Sequence, residues 1–159
     1  MVEDFANGGT LSDLTPATVY QFYVRQDCGG ELSVWTGPFS FSTVCEAPNA
    51  PTALVFSNVT ATGTTVGYTA PETAPTGYTI FRSTSNIPPV LANGTAYTTT
   101  GLVNALTVED RQYFLASSTT SLSASVSSLT ANTQYYYYVY SRNCTGATVS
   151  YSATPLTGT

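Results

Sequence analysis

Histidine and lysine are both absent from this chain, and charge of either sign is scarce. Of 159 residues only 8% are charged, nine acids against four arginines, for a net charge of −5. Without histidine there is no Ser-His-Asp or Cys-His machinery and no imidazole to ligate a metal. Four scattered arginines (Arg25, Arg82, Arg111, Arg142) do not make the basic surface that a phosphate backbone requires, so nucleic acid is set aside as a partner. No apolar run approaches the roughly 18 residues of a membrane-spanning helix. The start, with Val2, Glu3 and Asp4 behind Met1, does not read as a secretory leader. Beyond Glu3-Asp4 the only adjacent acidic pair is Glu109-Asp110. A calcium ion wants about six to eight oxygens, and no Asp-x-Asp-x-Asp-Gly ladder accompanies this pair, which reads as a solvated turn beside Arg111. The expectation is a chain with no catalytic residues, no metal and no cofactor.

What the chain does have is a core-forming composition: 13% aromatic and 42% hydrophobic residues, set among threonine and serine. That separates it from a disordered chain, which is aromatic-poor and highly charged. The hydrophobic period is two. Leu122, Ala124 and Val126 alternate with Ser121, Ser123 and Ser125, and Gln134–Ser141 is a tyrosine-rich strand pattern. Thr64–Thr69 and Gly77–Ser83 read as further short strands, separated by turn residues such as Ala61-Thr62-Gly63 and Ala74-Pro75-Thr76-Gly77. Many short strands with Gly and Pro punctuation and no long helix imply an all-β, antiparallel Greek-key β-sandwich.

An internal repeat organises the strands. Leu14-Thr15-Pro16-Ala17-Thr18-Val19-Tyr20 returns as Leu129-Thr130-Ala131-Asn132-Thr133-Gln134-Tyr135. Each tyrosine opens a strand that ends in a Cys and, shortly after, a Gly, at Cys28-Gly29 and at Cys144-Thr145-Gly146. The phrase Leu-x-Pro-x-Thr-x-Tyr with its following strand resembles the E–F corner of fibronectin type III domains. The resemblance implies that Tyr20 and Tyr135 are "tyrosine corners", whose hydroxyls bond back to nearby backbone. Ala50-Pro51-Thr52-Ala53-Leu54 through Val66-Gly67-Tyr68-Thr69-Ala70-Pro71 resembles the A–B hairpin of that family, with Tyr68 near the place of its usual Trp. Gly77–Ser83 with Pro88-Pro89 and Asn93–Tyr97, and likewise Phe22–Gly29 and Trp35–Thr43, are similar to a variant in large secreted and surface proteins of Bacteroidota.

Laid on that topology, the resemblance implies a tandem arrangement. Residues 1–44 are expected to hold only strands E (Thr10–Leu14), F (Val19 to about Gln26) and G (Val34–Thr43) of a first domain. Residues 45–159 are expected to form a complete second domain with an insertion at about 84–120, in which Asn93-Gly94 suggests a tight hairpin. A three-strand remnant leaves one sheet face exposed, so the expectation is either a piece cut from a longer chain or strands supplied by another chain. The type III topology also implies that Cys45, just before strand A, and Cys144, at the start of the F–G loop, meet at one pole in a disulfide. It leaves Cys28 unpaired. Three reduced thiols or a two-cysteine metal site are the alternatives at this stage.

By alternation, Tyr135, Tyr137 and Val139 face the core while Tyr136, Tyr138 and Tyr140 face the other way. That outer stripe is a candidate ligand or partner surface, for a glycan or a surface protein. Burial beneath the insertion is the competing reading. The function expected is a non-enzymatic extracellular module, a structural or adhesive link in a multi-domain cell-surface or secreted protein. Its partners would be neighbouring domains of the same chain. The alternative is a carbohydrate- or protein-binding accessory module of a secreted hydrolase.

Overall fold

The computed structural model describes residues 9–159, which fall into two compact units that divide between Val44 and Cys45. Its described residues are organised by β-strands, and none of its helical turns is long and apolar enough to cross a membrane.

In the first unit, β1 (Val19–Val24) pairs antiparallel with β2 (Thr36–Ser42), matching Tyr20 with Phe41 and Phe22 with Phe39. These cross-strand aromatic pairs stand 5.8 and 5.4 Å apart between ring centroids. Among the described residues no second layer covers them: Phe22 is 41% exposed and Phe39 45%. The E strand expected over Thr10–Leu14 does not form. A strand needs a hydrogen-bonding partner, and among the described residues of this unit β1 and β2 form a sheet only with each other.

The second unit is a two-layer sandwich. One layer has the order β3 (Thr52–Ser57), β4 (Thr64–Thr69), β8 (Ser123–Val126). The other has the order β10 (Ser150–Tyr151), β9 (Tyr136–Asn143), β5 (Gly77–Ser83), β7 (Phe114–Thr119), β6 (Gly101–Leu102), with β11 (Leu156–Gly158) also on β9. β10 and β11 are two halves of one edge, the first opposite Asn143 and Arg142, the second opposite Val139 to Tyr137. Between them lies Pro155, which has no N–H to give to a ladder.

Two cores flank the larger sheet. Between the layers, Val66, Tyr68, Tyr78, Ile80, Tyr137 and Val139 pack together with Phe56 and Leu156 against them. On the outer face, Phe81, Tyr138, Tyr140 and Tyr151 pack with Tyr97, Leu106 and Tyr113 of the 84–113 segment. The insertion read as 84–120 therefore divides. Residues 84–113 form a strap across the sheet, and Phe114–Thr119 joins the sheet as β7 beside β5. Asn93-Gly94 is not a hairpin. Gly94 takes φ +81 in a turn without flanking strands, and its N–H donates to the Val149 carbonyl at 2.7 Å.

Candidate functional site

The second unit's first pole is built where β9 ends. Cys144 adopts a left-handed φ of +57 just beyond Asn143, which turns its side chain back toward the incoming chain. Cys45 and Cys144 are disulfide-bonded with a Cα separation of 6.3 Å, inside the usual range for such bridges. Around the bridge, the Asn143 side-chain amide donates to the Glu46 carbonyl at 3.2 Å, and the Thr76 N–H donates to Asn143 Oδ1 at 3.1 Å. The Thr76 hydroxyl donates to the Arg142 carbonyl at 2.9 Å. The bridge spans a sequence separation of 99, which in the chain-entropy account is worth about 4–5 kcal/mol against the unfolded chain.

Cys28 is an exposed free thiol in the loop after β1. That loop is shaped by Asp27, whose carboxylate accepts the N–H groups of Gly30 and Gly29 at 3.0 Å each. Those two bonds hold the carboxyl below its ordinary pKa, the Gly30 contact first. Gly29 and Gly30 take φ +83 and +109, a backbone that other residues rarely adopt.

Both corner tyrosines make the same bond. The Thr15 N–H donates to the Tyr20 hydroxyl oxygen at 2.8 Å, and the Thr130 N–H donates to that of Tyr135 at 3.1 Å. In each copy the bond reaches five residues back and closes the loop that leads into the strand.

The outer tyrosine stripe is corrected as a ligand or partner surface. Tyr138 is 1% exposed and Tyr140 4%, and Tyr136 is half-buried against the same cluster. The physical cause is the strap. The Tyr138 hydroxyl donates to the Ser85 carbonyl at 2.6 Å, and that of Tyr140 donates to the Pro89 carbonyl. The strap and β10 contribute tyrosines of their own. Tyr113 donates to the Ile87 carbonyl at 2.7 Å and Tyr151 to the Thr95 carbonyl at 3.0 Å. Phenol after phenol thus satisfies a carbonyl of a segment that has little ladder of its own to use. Burial pushes the Tyr138 hydroxyl up to about 12, with Tyr113 and Tyr136 nearby adding to it, and raises Tyr140 and Tyr151 as well. Alternation along β9 marked which side chains share the outer face. The cover came from a segment with no period to read, and its one signal was the pair Tyr97 and Tyr113 within it.

Near the end of β5, the Arg82 guanidinium lies 5.2 Å from the Phe114 ring and 5.3 Å from that of Tyr135. Arg111 pairs with Glu109 at 3.1 Å, so that acidic dipeptide is a turn tied to its neighbour.

The family model for the fibronectin type III domain matches residues 49–157. A curated relative, Endoglucanase B of Cellulomonas fimi, is 33% identical over 99 residues, which is 56% of this chain and 10% of that protein. The chain thus spans about a tenth of that relative's length. Among solved structures, an FN3 domain of human collagen XX is 19% identical with a TM-score of 0.42, covering 74% of this chain and 95% of that one. The rat CD45 extracellular region, domains d3–d4, is 15% identical with a TM-score of 0.45, covering 99% of this chain and 72% of that one.

Proposed function

The chain belongs to the fibronectin type III family, and on that premise we propose that it serves as a non-enzymatic structural link in a multi-domain secreted or cell-surface protein. The observation that carries this reading is the disulfide between Cys45 and Cys144. It fastens the segment leading into the sandwich to the loop after β9, and the Asn143–Glu46 bond reinforces the same place. Such a bridge belongs to an oxidising, extracellular setting. Pro48 and Pro51 stiffen the approach, as a semi-rigid connector requires. Low charge suits lateral packing of Thr- and Ser-rich faces, since few ions must be desolvated.

In this reading residues 1–44 are the C-terminal portion of a preceding module, with β1 and β2 as its F and G strands, set in tandem with the second. The bare aromatic face of β1–β2 is the surface that the rest of that module, or strands from another chain, would cover. Cys28 stands where Cys144 stands in the second copy, and its partner would be a thiol ahead of that module's first strand. The motifs shared with large surface proteins of Bacteroidota suggest a parent of that kind.

The second reading, an accessory module of a secreted hydrolase, is favoured by the similarity to Endoglucanase B. The two separate in one experiment. Residues 45–159 are replaced in the parent protein by an unrelated sandwich of similar length carrying its own pole disulfide. A link tolerates the exchange with the parent's activity and anchoring intact; loss of polymer binding after the exchange overturns the linking role.

A further inference from the structure

The pole opposite the disulfide carries an open groove of about 640 Å³ between the β3–β4 turn and the corner leading into β9. A cavity of that size is in the range of small-molecule sites, roughly 300–1,000 Å³. It is lined on one side by Phe56, Val59, Leu129 and Tyr137, of which Tyr137 is buried and Phe56 and Leu129 are half-buried. Around them stand the hydroxyls of Thr60, Thr64, Thr130 and Thr133 and the exposed side-chain amides of Asn132 and Gln134. None of the lining side chains carries a charge at neutral pH.

Several of these hydroxyls have already used their proton. Thr60 donates to the Gly63 carbonyl, Thr64 to the Ser57 carbonyl and Thr133 to the Ala131 carbonyl. Their oxygens keep lone pairs for a donor from outside. Tyr137 is different: its hydroxyl is buried and has no hydrogen-bond partner. A buried hydroxyl left alone is costly, and a ligand group that reached it would remove the cost. Asn132 holds φ +56, so the corner presents its amide from a left-handed backbone position that glycine also accepts.

A ligand suited to this lining has apolar C–H faces, hydroxyls that both donate and accept, and no net charge. Among these side chains an anion would meet no cation and a cation no carboxylate; the one charge at the groove is the terminal carboxylate of Thr159, which disfavours an acidic ligand further. We infer that the groove is a binding site for a neutral oligosaccharide, with sugar hydroxyls on the Asn132 and Gln134 amides and the C–H face on the apolar wall. The inference rests on the second reading, the accessory module, and gives it a ligand class and a place; its failure leaves the linking role standing, whereas polymer binding lost on exchange with this groove silent would put the binding surface elsewhere.

The test is a titration of the whole chain, followed by backbone amide NMR, with cellohexaose, xylohexaose and, as the charged control, a hexamer of galacturonic acid. At least one neutral probe is expected to shift amides in residues 59–64 and 129–135, with a Kd of about 1 mM or tighter, while the acidic probe shifts none. Tyr137→Phe keeps the ring and removes only the orphan hydroxyl. It is expected to fold with an unchanged or higher Tm and to weaken binding about tenfold, equivalent to one hydrogen bond. Gln134→Ala, at an exposed position, is expected to weaken binding about threefold. The inference is overturned by silence of both neutral probes at about 10 mM, by shifts centred elsewhere, by equal binding of the acidic hexamer, or by unchanged affinity in both variants.

Discussion

Strands β1 and β9 begin from the same corner phrase and end in opposite circumstances. Tyr23 stands three residues after its corner tyrosine, as Tyr138 does after Tyr135. Yet Tyr23 is 53% exposed and Tyr138 1%. The corner bonds are alike, 2.8 Å at Tyr20 and 3.1 Å at Tyr135, so the local geometry of the repeat is complete in both copies. What differs is the material laid on each face. The second copy has β3, β4 and β8 on one side and the 84–113 strap on the other. The lesson is that a strand's sequence sets its faces and its turn, while burial is decided by segments far away in the chain.

The largest way to break this contrast is alkaline titration. The folded second unit holds the protons of Tyr138, Tyr140, Tyr68, Tyr137 and Tyr151 more tightly than free tyrosine does, chiefly through burial. Unfolded tyrosines titrate near about 10. The stabilisation is therefore whole below about pH 10 and is lost as pH rises toward 12, where Tyr138 titrates in the fold. Near-UV circular dichroism and tyrosinate absorbance should show a cooperative loss of the second unit across that window. A gradual, non-cooperative rise in tyrosinate from pH 10 would mean that the strap does not seal these groups.

Next in size is Tyr138→Ala, which empties a site beneath the strap and removes the bond to Ser85. It should cost about 3–5 kcal/mol in chemical denaturation of the second unit. The matched change Tyr23→Ala should cost under about 0.5 kcal/mol. Equal costs at the two positions would contradict the difference in cover. Breaking the pole bridge with Cys144→Ser should cost about 4 kcal/mol, and Cys28→Ser should leave the denaturation midpoint unchanged. The smallest effect sharpens the comparison rather than breaking it. Tyr20→Phe and Tyr135→Phe each remove one corner bond, worth about 1 kcal/mol. Amide hydrogen exchange at Thr15 and Thr130 should quicken about fivefold in the respective variant.

Much of the second unit could be read from residues alone. Thr64–Thr69 and Gly77–Ser83 are strands with the limits that their alternation and flanking turns suggest, and the β9 alternation sorts Tyr137 and Val139 from Tyr138 and Tyr140. Three features were not legible, each for a physical reason. The strap has no regular period, because it is held by side-chain hydroxyls on carbonyls rather than by a ladder. Asn93-Gly94 has hairpin chemistry, but its neighbours find no strand partner, and Gly94 bonds to Val149 instead. The strand expected at Thr10–Leu14 depends on a pairing partner that the described residues of the first unit do not supply. The groove at the far pole was invisible for a similar reason: its walls come from residues some 70 positions apart, the β3–β4 turn and the corner before β9.

The bridge between Cys45 and Cys144 also decides how the molecule answers a pull along its length. Tension arriving at Cys45 crosses the sulfur pair to Cys144 and cannot draw out the segment enclosed between them, a separation of 99 residues. Some 330 Å of contour is thereby kept out of the force path. Within the second unit, residues 145–159 lie outside the loop and can be drawn out, about 50 Å of contour. Oxidised, the sandwich is a nearly inextensible bead; reduced, it becomes a spring several times its folded size.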